Sequence, residues 1–342
     1  MTRNASPILQ LALGLAVLAL ALLPAIGSRS AVQDGFSILT LLVLALNWNM
    51  LAGFAGLVSV GQQAFVGAGA YAMFAGVILW GVDPLIAIPL GGLAALALAV
   101  PMAFFTFRLN GAYFAIGTWV VAEIVRLSLA QWKALGGGTG TSLPRGTTRD
   151  MLFVPQIQDA LGISAAAAAD ALLFWLALVL ALLTLGAGYL FLRSRMGLGL
   201  QAIRDNVEAA RSVGVDPLRL KALVFLLTAL GTGICGALMF LQIGRVTPDA
   251  AFSVLDWTAF VIFITVIGGI GTLPGPILGV LVFYGLQRTL ADYGSAYLII
   301  LGLIGIAVML FARRGLWGLF TARTGIELMP LAHRPPPRPR AA

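Results

Sequence analysis

The chain contains one cysteine, Cys235, and one histidine, His333. So few of each excludes both a disulfide framework and a His/Cys metal cage. Charge is also scarce: Asp, Glu, Lys and Arg make up 10% of the residues, against about a quarter in a soluble domain. No G-x-x-x-x-G-K-[ST] phosphate loop occurs, so ATP binding through that motif is not expected. His333 sits in a Pro-rich end, and no Ser/His/Asp or Cys/His set can be assembled around it. The sequence therefore gives no reason to expect an enzyme, a cofactor or a resident metal. Apolar residues dominate instead, at 60% of the chain. A soluble fold would have to leave much of that on its surface, whereas a bilayer core requires apolar runs of about 20 residues. The formal net charge of +8 does not point to nucleic acid, because most Lys and Arg flank hydrophobic runs. That placement is the mark of membrane orientation in contact with lipid.

Apolar runs at residues 8–26, 36–52, 64–80, 85–107, 112–130, 171–192, 220–243, 257–271, 277–290 and 296–311 give about ten expected crossings. The expected fold is an all-α, polytopic transmembrane bundle with broken or re-entrant Gly/Pro segments. Residues 1–320 read as one transmembrane domain and 321–342 as a basic, disordered tail. Residues 8–23 followed by Ala25-Ile26-Gly27 also read as a signal-peptide core with a cleavage site. The stretch 268–276 is too rich in Gly and Pro for one continuous helix, so 257–290 reads as two short crossings or a re-entrant pair.

Charge orients this arrangement. Segment 193–221 carries six basic residues (Arg193, Arg195, Arg204, Arg211, Arg219 and Lys221), and six more follow Phe311. Basic excess marks cytoplasmic flanks. Both segments and both termini are therefore expected inside, with Arg3 and Arg108. The loop 131–170 is expected outside, with Asp34, Asp83, Asp249, Asp256 and Asp292.

Residues 46–71 place Asn47, Asn49, Ser59, Gln62 and Gln63 among glycines, at or near membrane depth. Irregular backbone there must be buried in protein or line a wet cavity. Close helix packing accounts for the glycines; the adjacent amides Gln62 and Gln63 suggest a cavity. The backbone around Gly268, Gly269 and Gly271 is a second candidate for the route, since transporters often build it from broken helices. Glu123 and Arg126 are charges within a span and stand three apart, at pairing distance. Such charges are functional candidates, with a purely structural ion pair as the alternative. In 193–221, Leu200, Ile203, Val207, Ala210 and Val213 recur at helical spacing. Arg204 with Glu208, and Glu208 with Arg211, stand at pairing separations. An amphipathic helix results, destined for the lipid surface or for the groove of a cytoplasmic partner. Gly214 and Pro217 stop it.

Several of these stretches resemble a known family. Glu208-Ala209-Ala210-Arg211-Ser212-Val213-Gly214 resembles the E-A-A-x-x-x-G loop of ABC-importer permeases, although Leu227 stands where that pattern later has a proline. Residues 46–71, Ala122-Glu123-Ile124-Val125-Arg126, the glycines of 136–140 and the run 266–276 are similar to segments of bacterial branched-chain amino acid permeases. The resemblance implies a permease subunit in the bacterial inner membrane. Its expected partners are a second permease subunit, cytoplasmic ATPase subunits and an external substrate-binding protein. It further implies that Arg204, Glu208, Ala209, Ala210, Arg211 and Gly214 lie at the ATPase contact. Urea, short amides or other small organic solutes are alternative cargoes. A lone ion-coupled transporter is the other class, poorly provided for by one Glu and one Arg in the spans.

Overall fold

The computed structural model describes residues 7–290, 293–294, 296–312, 314–325 and 329, with side chains from Gly14 onward. Among the described residues the regular structure is helical apart from one short ribbon. In chain order the helices are α1 (Pro7–Ile26), α2 (Arg29–Asn49), α3 (Gln63–Trp80), α4 (Pro84–Thr106) and α5 (Ala112–Ala130). Then come α6 (Val154–Leu161), α7 (Ala165–Arg193), α8 (Arg195–Asp205), α9 (Val207–Ser212) and α10 (Pro217–Ile243). The last are α11 (Pro248–Ala251), α12 (Phe260–Gly268), α13 (Gly275–Leu290), α14 (Ala296–Phe311) and α15 (Gly315–Thr324). The strands β1 (Thr141–Ser142) and β2 (Arg245–Val246) pair antiparallel and tie the loop after α5 to the end of α10.

Local sequence sets the helix limits. Ser28, Asp83, Ser164 and Asp216 each accept a hydrogen bond from a first-turn amide at the starts of α2, α4, α7 and α10, the usual N-cap device. Proline follows immediately in α4 and α10, where its missing N–H costs nothing. At the centre, α3, α4 and α10 approach through small residues. Gly69 meets the backbone of Gly233, and Gly236 meets that of Val66. Lipid gives helices no hydrophobic reason to associate, so close packing of this kind must supply the attraction.

Among the described residues, seven helical segments are long and apolar enough to cross a membrane, or up to eight if the bent pair α14–α15 is one span. The sequence led us to expect about ten. All ten apolar runs are largely helical, but α13 and α14 have only 16 residues each, short of the usual span of about 17–25, and the part of α1 with described side chains, Gly14–Ile26, is shorter still. The α12–α13 pair is a hairpin. Its turn lies beside Asn49 at the end of α2, and Arg288 near the end of α13 pairs with Asp34 in the first turns of α2 at 2.7 Å. α13 therefore runs back along α2 from Asn49 to Asp34, roughly 22 Å at the standard helical rise. Helix α15 extends to Thr324, past the expected domain limit at 320; residues 326–328 and 330–342 of the expected tail lie outside the described residues, as does Asp292.

The bundle has two chemically distinct ends. Asp34, Asp83, Asp170, Asp249 and Asp256 gather with the ribbon at one, the acidic end, where Arg29, Arg126, Arg245 and Arg288 also lie and most of them pair with these acids. Arg108, Arg193, Arg195, Arg204, Arg211, Arg219 and Lys221 gather at the other, around α8 and α9.

Candidate functional site

The basic end is built by two helices where the sequence pattern suggested one. Asn206 is extended, with φ −158° and ψ 111°, and its Oδ1 accepts from the amides of Glu208 and Ala209, both at 3.0 Å. An Asn side chain that satisfies the first amides of a new helix caps that helix and ends the previous one. The break shifts the helical phase. Leu200, Ile203 and Ala210 are buried in one apolar cluster with Leu220 and Phe225, while Val213 is 75% exposed. Ala209 is exposed and Ala210 is buried, so the two adjacent alanines lie on different faces of the helix. Gly214 takes φ +86°, the left-handed conformation that lets the chain turn away after a helix. Glu208 pairs with Arg211 at 2.9 Å, as the spacing suggested.

Arg204 does not pair with Glu208, which lies beyond the capped break. Its Nε and Nη2 donate to Asp205 Oδ1, both at 3.0 Å, and its Nη1 donates to the carbonyl of Gly53 at 3.2 Å. Gly53 belongs to a buried π-helical turn, Met50–Phe54, that ends the α2 span. Such turns recur at functional sites.

Here the two interrupted segments meet. Asn49 Nδ2 donates to the carbonyl of Thr272 at 2.8 Å, and Asn49 Oδ1 accepts from the amide of Gly271 at 2.8 Å. Gly53 lies so close to Gly271 that a Cβ on Gly53 would collide with the Gly271 backbone. Gly269 and Gly271 turn the chain with φ +129° and +74°. Gly268 packs against the backbone of Gly275. A cavity of about 460 Å³ opens beside this region, bounded by Gly56, Val58, Asn110, Val207, Arg211 and Lys221.

Gln62 and Gln63 are both buried, on two packed faces rather than in a shared cavity. Gln62 Nε2 donates to the Leu44 carbonyl at 2.9 Å, whereas Gln63 Oε1 accepts from the Thr258 hydroxyl in a second π-helical turn, Leu255–Ala259. Gln62 Oε1 accepts no hydrogen bond among the described residues. Glu123 and Arg126 pair at 2.6 Å, and Arg126 also meets Asp249 of α11 at 2.5 Å. This trio sits near the acidic end, with Glu123 and Asp249 side chains 41% and 84% exposed. Neither it nor the glutamine pair joins the Asn49–Gly271 contact. At the acidic end, a cavity of about 290 Å³ is lined by Thr40, Gln242, Asp256, Trp257, Tyr284 and Gln287.

Sequence reasoning missed Asn49, Gly53, Thr272 and Asp249 as contact makers. Asn49 carried a signal, being an amide within an apolar run, but nothing in the spacing named its partner.

A family model described as branched-chain amino acid transport system / permease component matches residues 35–312. The high-affinity branched-chain amino acid transport system permease proteins LivM of Salmonella typhimurium and Escherichia coli K12 are each 28% identical over 304 residues, 86% of this chain and 71% of theirs. The autoinducer 2 import system permease protein LsrC of Klebsiella pneumoniae is 36% identical over 140 residues, 37% of this chain and 40% of its own. No solved structure matches the chain. The match over most of the length, on a multi-pass apolar bundle with paired broken helices, places the chain in the permease-component family of branched-chain amino acid transport systems.

Proposed function

We propose that this chain is the membrane permease subunit of an ATP-driven importer for leucine, isoleucine and valine. Its basic end faces the cytoplasm and receives the ATPase; its acidic end faces the external substrate-binding protein. The observation that carries the reading is the two-sided build of α9, within a chain of this family. Ala210 anchors the helix inward, while Glu208, Ala209, Arg211 and Ser212 stand exposed. A short, capped helix with one face held and one face free suits a partner's groove.

Translocation follows from motion of the broken segments. Gln62, Gln63 and the backbone of Gly268, Gly269 and Gly271 border the route. Buried Gln62 Oε1 has hydrogen-bonding capacity to spare. Glu123 and Arg126 guard the acidic end beside Asp249. A second permease subunit completes the pathway. An ion-coupled mechanism finds little support, because Glu123 and Arg126 are consumed by each other and by Asp249.

Reconstitution in proteoliposomes with the ATPase, second permease and binding protein tests the reading. Radiolabelled leucine should accumulate only with ATP and the binding protein, and unlabelled isoleucine and valine should compete. Competition by urea or acetamide instead would move the cargo. Uptake driven by an ion gradient without the ATPase would overturn the class.

A further inference from the structure

We propose that Arg204 and Asn49 form a mechanical link that carries motion of the α8–α9 segment into both broken-helix segments at once. Arg204 is then a positioning residue for transport, turned toward the membrane domain, and is not part of the surface that docks the ATPase. The inference rests on the functional reading above and deepens it.

Three segments distant in sequence converge on one point. Asn49 is completely buried at the end of α2. Both ends of its amide bind the second break, at Gly271 and Thr272. Those backbone groups sit where helical bonding is interrupted, and the Asn49 side chain supplies the partner that the helix does not. The amide thus fixes the second break to α2. Gly53, four residues on, touches Gly271 directly. The Gly53 carbonyl accepts the Arg204 Nη1 bond, while Asp205 holds the other side of the same guanidinium. A planar fork held at one edge aims the other edge at a fixed spot. A charged donor also makes a stronger bond than a neutral one. Displacement of α8 therefore pulls on Gly53, and through Gly53 and Asn49 on the turn between α12 and α13. α9, joined to α8 across Asn206, supplies the outward face on which a partner can act.

The test compares Arg204→Ala with Arg219→Ala, a charge loss in the same segment at a residue 90% exposed in its side chain and paired with Asp216. Each complex is purified with its ATPase and reconstituted, and leucine uptake is measured against ATP hydrolysed. Arg204 is itself exposed, so folding should persist. We expect Arg204→Ala to retain its ATPase and to hydrolyse ATP. Leucine moved per ATP should fall about tenfold, the effect of losing one charge-assisted hydrogen bond. Arg219→Ala should keep the wild-type ratio. An unchanged ratio in Arg204→Ala would overturn the link, as would dissociation of the ATPase, which would make Arg204 a docking residue. A parallel fall in hydrolysis and uptake at constant ratio would overturn it too. No leucine uptake by the wild-type complex would contradict the functional reading itself; normal wild-type uptake with an unchanged variant ratio contradicts this inference alone.

Discussion

The polar cluster around Asn49 and the one around Arg126 lie at opposite ends of the bundle and differ in what they bind. Asn49, Gly53, Gly271, Thr272 and Arg204 join side chains to backbone groups that interrupted helices leave unpaired. Glu123, Arg126 and Asp249 join charge to charge, largely in the open. Burial of Asn49 makes the first cluster costly to break, because its loss leaves two half-buried backbone groups without a protein partner. Exposure makes the second replaceable, because solvent screens its charges. The formal ion pairs attract the eye, yet the neutral amide should matter more.

Substitutions can break that contrast, and the steric one should act most strongly. Gly53→Val would drive a branched side chain into the Gly271 backbone and the Asn49 side chain. It should abolish transport and sharply lower thermal stability in detergent; stability near wild type would mean the two breaks are not in firm contact. Asn49→Ala should come next. It strands the half-buried Gly271 amide and Thr272 carbonyl, at a cost of about 1–3 kcal/mol in total, read as a lower unfolding midpoint in detergent. The two alanines of α9 sharpen the picture further. Ala210→Trp should destabilise the isolated chain by about 1–3 kcal/mol through overpacking. Ala209→Trp should leave the isolated chain as stable as wild type but prevent co-purification with the ATPase. Equal behaviour of the two would mean that α9 does not have one held face and one free face. The smallest effect should come from Arg126→Gln, at under about 1 kcal/mol for a partly exposed pair. A loss as large as that of Asn49→Ala would erase the distinction between the clusters.

Much of this was legible in the sequence because it is local. Apolar runs located the helices, Gly and Pro marked the break after α12, and three-residue spacing found the Glu123–Arg126 and Glu208–Arg211 pairs. The contacts that unite the molecule are not local. Asn49 and Gly271 are 222 residues apart, and Arg204 and Gly53 are 151 apart; periodicity says which face a residue occupies but not what meets it. The phase of α9 was lost for a smaller reason. Asn206 restarts the helix, so extending the stripe from Leu200 to Val213 put an exposed residue on the buried face. The expectation that two adjacent glutamines could not both be hidden assumed one packed face. The chain between α2 and α3 is irregular enough to offer two.

The division of labour between the ends depends on the basic end being cytoplasmic and covered by the ATPase. Cys235 is fully buried, so a Cys235→Ala background gives a clean labelling assay. A membrane-impermeant maleimide applied to intact cells should modify Ser142→Cys. It should reach Ser212→Cys only after the membrane is opened, and then poorly while the ATPase subunits remain bound. Labelling of Ser212→Cys from outside intact cells, with Ser142→Cys protected, would contradict the account.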